Sequence, residues 1–118
     1  MENRMEKIVK QALLYDFYGE LLTEHQKQVY EDVVLNDYSF TEVAEERGIS
    51  RQGVHDLIKR CNKILEEYED KLKLVEKFIS TKELVEQIDT LLAEYRTDKD
   101  EQKLDEIERI TEEILQKI

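Results

Sequence analysis

One run of apolar residues constrains the fold of this chain more than any other feature. Its members recur at steps of three and four residues, the period of an amphipathic α-helix: Val54, Leu57, Ile58, Cys61, Ile64, Leu65, Tyr68, Leu72, Val75, Phe78 and Ile79. Neither proline nor glycine occurs between the first and the last of them, so no residue there is expected to end a helix. The sequence therefore predicts one long helix whose far end needs a second apolar surface to cover it.

The whole chain has the composition of an all-α protein. Its 118 residues include no proline and three glycines, and Glu, Lys, Leu and Ile are abundant. Capping boxes, in which Ser or Thr is followed three residues later by Glu or Gln, begin at Thr23, Ser39 and Ser80. With the periodicity, they predict helices at about residues 6–18, 23–35, 40–47, 51–79, 80–95 and 101–117.

Residues 39–60 have the spacing of a helix-turn-helix. Ala44 is small where two helices would cross closely, and Gly48 suits a left-handed turn between them. Ser50 is a suitable N-cap for the second helix, and Val54 would anchor that helix to the core. We therefore predict an all-α helix-turn-helix bundle with a long helix and a C-terminal helical hairpin. This scaffold does not by itself establish DNA binding.

Charge limits what such a bundle can bind. The net charge is −11, and a chain of that charge repels a phosphate backbone unless a local basic patch meets it. Residues 1–63 hold nine basic and twelve acidic side chains, whereas residues 64–118 hold nine and seventeen. Residues 50–63 hold four basic and one acidic, so the second helix of the helix-turn-helix is the best candidate for contact with an anion.

The face of this helix opposite its apolar side supplies the candidate nucleic-acid-binding residues: Arg51, Gln52, His55, Lys59, Arg60 and Lys63. The first two are suited to base edges and the last three to phosphates. Asp56 lies in the middle of this face, where it can pair with Lys59 or Arg60 and partly neutralise them. The face is thus open to three interpretations: a nucleic-acid surface, a protein-docking surface or a solvated helix of mixed charge.

Catalysis and metal binding find no support in the sequence. Cys61 is the only cysteine, so no intrachain disulfide can form, and His25 and His55 are too few for a metal or catalytic constellation. No apolar run approaches the ~18 residues of a membrane span, and no signal peptide is visible. We therefore expect a non-enzymatic cytoplasmic protein without cofactor or metal.

Two parts are expected along the chain: a helix-turn-helix domain at residues 1–65, and a long-helix extension with an acidic hairpin at residues 66–118. The uncovered part of the apolar seam predicts a homodimer, with an interface formed by Leu65, Tyr68, Leu72, Val75, Phe78 and Ile79. The alternative is that the hairpin folds back and covers the seam within one chain.

Several motifs in residues 12–75 resemble those of the YlxM family of small bacterial proteins. They are "DFY…LLT..Q" near the front, "DYS..E.A" in the first helix of the motif, "SRQ.V.D.IKR" in the second, and "LE.YE.KL" after it. The helix-turn-helix itself is similar to region 4 of bacterial sigma factors. The resemblance implies an all-α, dimeric protein that acts in the signal recognition particle pathway, with the particle's RNA or its GTPase as partner. Residues 80–118 have no specific match.

Three functions follow as hypotheses. The first is a non-enzymatic accessory or regulatory protein of the signal recognition particle pathway, which contacts RNA or DNA through the Arg51–Lys63 face. The second is a sequence-specific transcriptional regulator, which predicts a palindromic DNA site. The third is a protein adaptor that docks on the pathway GTPase. The sequence does not distinguish DNA, RNA and protein as the target.

Overall fold

The computed structural model describes residues 4–118 of the chain. Within this range every regular element is helical, which confirms the all-α fold class. The α-helices are α1 (Arg4–Tyr18), α2 (Glu24–Tyr30), α3 (Phe40–Arg47), α4 (Arg51–Leu72), α5 (Leu74–Asp98) and α6 (Glu101–Lys117). A short 3-10 turn (Gly19–Leu21) follows α1, and a π-helical turn (Glu31–Leu35) extends α2.

The helix starts predicted in the first half of the chain are confirmed. Thr23 and Ser39 each form a complete capping box with the residue three positions later. Ser50 Oγ accepts a hydrogen bond from the backbone N–H of Gly53 at 2.9 Å and so caps α4. Gly48 ends α3 with φ 68°, a left-handed conformation that only glycine adopts without strain. The pair α3–α4 is the predicted helix-turn-helix.

Side chains from the first four helices meet in one apolar core. Its fully buried members are Tyr18, Val29, Tyr30, Val43, Val54, Cys61 and Leu65. Each fully buried aliphatic side chain contributes roughly 1.5–3 kcal/mol to folding. Burial also raises the pKa of the Cys61 thiol to about 11, so this cysteine is a small apolar core residue rather than a nucleophile.

The long fourth helix does not continue to residue 79 as predicted. It ends at Leu72, and Lys73 takes a left-handed conformation with φ 57° and ψ 28° before α5 begins at Leu74. A left-handed conformation costs a residue with a side chain roughly 1 kcal/mol or more. The prediction was wrong because nothing local ends the helix, and the compensating contacts come from elsewhere in the chain.

Tyr18 and Glu69 stabilise this break, and we call their hydrogen-bonded pair the Tyr18–Glu69 latch. Tyr18 Oη donates to Glu69 Oε1 at 2.5 Å and accepts from the backbone N–H of Leu74 at 3.2 Å. Glu69 Oε1 also accepts from the backbone N–H of Val75 at 3.0 Å. The latch therefore satisfies N–H groups at the start of α5 that lack a partner within their own helix.

Replacing Tyr18 by Phe is expected to lower the free energy of unfolding by about 1–3 kcal/mol. The change removes only the hydroxyl, which leaves the Leu74 N–H unsatisfied and deprives Glu69 of a donor. Urea unfolding followed by circular dichroism would measure it. Tyr38→Phe is the control, because Tyr38 is 43% exposed; equal stability of the two variants would contradict a role for the latch.

The fifth helix begins earlier than predicted. Ser80 was expected to be its N-cap, but Ser80 lies inside α5, which starts at Leu74. Only the first turn of a helix has unpaired N–H groups. Once the latch has started the helix at residue 74, Ser80 and the three residues after it have no free N–H group to cap. The capping-box pattern at 80–83 was therefore misleading.

The chain forms two compact units, the first ending at Val75 and the second spanning Glu76–Ile118. The sequence-based boundary lay after residue 65, but residues 66–72 pack with the first unit. Tyr68 stacks on Tyr18 with ring centroids 6.1 Å apart, and Glu69 belongs to the latch.

In the second unit, Lys117 Nζ donates to Ser80 Oγ at 2.8 Å, so α6 runs antiparallel to α5. Lys103 pairs with Glu94 and Asp98 near the turn and holds the pKa of the Asp98 carboxyl below its usual value.

The six residues expected at a dimer interface differ in exposure. Leu65 and Val75 are buried in the first unit, at 0% and 5% exposure, and offer no surface to a second chain. Tyr68 is half-buried. Leu72, Phe78 and Ile79 are 50%, 43% and 41% exposed, so these three keep accessible surface.

Candidate nucleic-acid interface

The helix-turn-helix exposes one side of α4 and buries the other. Val54, Ile58 and Cys61 follow one another at steps of four and three residues and face the core, all with less than a tenth of their surface exposed. Gly48 and Ser50 set the direction in which α4 leaves the turn, and Arg51 and Gln52 in its first turn are exposed. This is the arrangement in which a recognition helix enters a groove of nucleic acid.

All six residues predicted to bind nucleic acid lie on exposed positions of α4: Arg51, Gln52, His55, Lys59, Arg60 and Lys63. Within residues 4–118, none of Lys59, Arg60 and Lys63 forms an ion pair, although the chain holds 29 acidic side chains. Two other cations of the first unit are engaged: Lys27 pairs with Glu20, and Arg47 with Asp32.

Asp56 pairs differently from the sequence-based expectation. It was expected to neutralise Lys59 or Arg60, but its Oδ1 accepts a hydrogen bond from Gln52 Nε2 at 2.9 Å. The same oxygen lies 3.7 Å from His55 Nδ1. Asp56 therefore holds the amide of Gln52 that was expected to read base edges, and Lys59 and Arg60 have no carboxylate partner within residues 4–118.

Phe40, the first residue of α3, contacts two residues at the start of α4. The Arg51 guanidinium lies over its ring, 5.9 Å from the centroid, and His55 meets it edge-on at 5.7 Å. Phe40 is not among the site residues predicted from the sequence. The signal that could have found it is its position next to the Ser39 cap, at the start of the first helix of the motif.

Replacing Asp56 by Asn is expected to tighten binding to nucleic acid about three- to tenfold at ~100 mM salt, because it removes one negative charge from the surface predicted to meet phosphates. Titration of a fluorescent duplex at several salt concentrations would measure it. The control is Asp105→Asn, which makes the same charge change in α6. Equal gains in both variants would attribute the effect to net charge alone.

No group of three or more side chains that could hold a metal ion occurs in the described part of the chain. Among the helices of residues 4–118, none is long and apolar enough to cross a membrane.

Comparison with known proteins gives a consistent match. A family model described as "Putative helix-turn-helix protein, YlxM / p13 like", UPF0122, matches residues 5–107. A UPF0122 protein of Acetivibrio thermocellus is 40% identical over 116 residues, which are 95% of this chain and 99% of that protein. UPF0122 protein YofM of Lactococcus lactis is 43% identical over 110 residues, 92% and 96% of the two chains. The resemblance drawn from the motifs is confirmed.

Proposed function

We propose that this chain, which belongs to the UPF0122 family of YlxM / p13-like helix-turn-helix proteins, is a non-enzymatic protein that binds nucleic acid through the exposed face of α4. One observation carries the proposal. Lys59, Arg60 and Lys63 are exposed on one helix and have no carboxylate partner within residues 4–118. In a chain of net charge −11, cations that stay unpaired are available for an external anion.

Phosphates are the anion that this face suits best. The three cations follow Arg51 along the same helix, so they form a line that a backbone can track while the first turn meets bases. The strongly acidic remainder of the chain opposes non-specific attachment elsewhere. Binding is thus expected to be narrow in its target rather than general.

The resemblance to YlxM proteins directs the choice of target to the signal recognition particle pathway. Its RNA and its GTPase are therefore the first partners to test. A cytoplasmic location follows from that pathway and belongs to the same proposal.

Three ligands measured in parallel at ~150 mM salt would test this function: the particle RNA, the particle GTPase and a random pool of genomic DNA. The variant is Arg51→Ala/Lys59→Ala/Lys63→Ala. The control is Lys71→Ala/Lys82→Ala/Arg96→Ala, which makes the same change in net charge at exposed positions outside the face. RNA binding lost only in the first variant would support the proposal.

Two other outcomes point to the alternatives. Selection of one palindromic DNA sequence, with neither other ligand bound, would favour a transcriptional regulator. GTPase binding that survives the Arg51/Lys59/Lys63 change would favour an adaptor that docks through another surface. Absence of binding to all three ligands would overturn the proposal.

We also propose that the chain forms a homodimer, with Tyr68, Leu72, Phe78 and Ile79 as the interface residues that retain exposed surface. Leu72, Phe78 and Ile79 are 41–50% exposed. A single exposed apolar side chain is normal, but several along one stretch of chain favour contact with a second protein surface. Sedimentation velocity of the full chain and of Leu72→Lys/Ile79→Lys would test it. A monomer at all concentrations would contradict it.

A further inference from the structure

A groove of about 370 Å³ lies beside the recognition helix in the first unit. It is bordered by α1, the end of the π-helical turn, the start of α3, and α4. His55 and Lys59 contribute both to its lining and to the exposed face of α4. Whatever lies along that face therefore passes the mouth of the groove.

A hydrogen-bonded amide pair on the groove lining is fixed in one orientation. Asn62 Oδ1 accepts from the buried Tyr30 hydroxyl at 2.6 Å and from Gln11 Nε2 at 3.2 Å. Both amides line the groove. With that oxygen occupied, Asn62 Nδ2 remains as a donor and Gln11 Oε1 as an acceptor, and neither has a partner within residues 4–118. The edge of a base also carries a donor beside an acceptor, and Asn or Gln side chains pair with both.

Aromatic and charged groups complete the site, and Asp37 is the carboxylate among them. The Phe40 ring lines the groove next to His55, and aromatic side chains are the platforms on which unpaired bases stack. Lys7 and Lys59 lie at the same groove, and Lys10 lines a neighbouring hollow of about 290 Å³. These cations are placed to meet the phosphates on either side of a base that is unpaired and extruded from its duplex.

We propose that this groove binds one unpaired nucleotide of the nucleic acid that lies on α4, so that the protein prefers a duplex with a bulged base over a fully paired one. The inference rests on the proposed function and adds the class of target to it. An acidic peptide would match the cations, but it would make no use of the aromatic ring or of the oriented amide pair. The observations therefore favour a nucleobase.

The test uses four labelled duplexes of equal length, two of RNA and two of DNA, with and without one unpaired adenosine at the centre. Fluorescence anisotropy with the full chain measures each affinity. We expect the unpaired base to tighten binding about tenfold, because one stacked base contributes in that range. Placing 2-aminopurine at the unpaired position should quench its fluorescence on binding.

Variants locate the effect. Ile8→Glu places a carboxylate in the groove, and Val9→Glu makes the same change at the next residue of α1, which does not line it. Gln11→Leu removes the acceptor while leaving every cation of the α4 face in place. We expect Ile8→Glu and Gln11→Leu, but not Val9→Glu, to abolish the preference for the bulge, with thermal unfolding confirming that each variant is folded.

The outcomes separate this inference from the function on which it rests. Equal affinity of the wild-type chain for paired and bulged duplexes would overturn the proposal that the groove binds a nucleotide. It would leave the proposal of nucleic-acid binding by α4 intact. A preference that persists in both groove variants would overturn it as well. Binding of a glutamate-rich helical peptide, lost in Ile8→Glu, without any preference for the bulge would make the groove a protein site. Binding of none of the duplexes would overturn both proposals.

Discussion

Replacing Lys59 and Lys63 with alanine is expected to weaken nucleic-acid binding about fiftyfold at ~100 mM salt and to lower the slope of log K against log salt by about 1.4–1.8. Each lysine that neutralises one phosphate releases about one counterion. The loss of two such contacts therefore accounts for both the weaker affinity and the lower salt slope. The size of the effect depends on both lysines lacking an internal partner, since a lysine already paired with a carboxylate would release little on binding.

The matched control is Lys71→Ala/Lys82→Ala. Both lysines are exposed and lie outside the candidate face, so the net charge changes equally. We expect the control to weaken binding less than about threefold, through the long-range field alone. Measurements at four or more salt concentrations separate slope from affinity. Equal slopes in the wild type and the Lys59/Lys63 variant would show that these lysines do not meet phosphates.

Replacing Leu65 with alanine is expected to lower the free energy of unfolding by about 2–5 kcal/mol. Leu65 has no exposed surface and packs in the core shared by the first four helices. Truncation removes buried apolar atoms and leaves a cavity that the neighbouring helices fill only in part. The effect is therefore expected within each chain, without any partner.

This prediction also separates the observed packing from the dimer interface that sequence analysis assigned to Leu65. Urea unfolding in the Leu72→Lys/Ile79→Lys background distinguishes them, because an interface residue would lose its effect on stability once the chains no longer associate. The control is Leu115→Ala at 64% exposure, where we expect a change within about 0.5 kcal/mol. A Leu65 variant as stable as this control would contradict burial within one chain.

Local signals were sufficient for most of the helix-turn-helix. The capping boxes at Thr23 and Ser39, the turn at Gly48 and the cap at Ser50 each depend on atoms within a few residues, so the pattern of residues predicts them directly. The same holds for the exposure of the α4 face, which follows from the helical period once Val54 and Ile58 are assigned to the core.

Side-chain partners were less predictable even when they were local. Asp56 has Gln52 one turn before it, and Lys59 and Arg60 one turn after it. All three are within reach on one helix face. The choice of Gln52 depends on side-chain rotamers, which the spacing does not specify. The groove was also invisible in the sequence, because Gln11 and Asn62 are 51 residues apart.

The all-α class, the helix-turn-helix and the surface that α4 presents can be predicted from the residues alone, because each follows from helical periodicity and from caps that act within one turn. The end of the long helix depends instead on contacts between distant parts of the chain. Residues 54–79 contain nothing that stops a helix, and the break at Lys73 is stabilised by Tyr18, which lies 51 residues before its partner Glu69. A hydrogen bond between such distant residues forms only after the bundle has brought α1 against α4, so no local pattern encodes it.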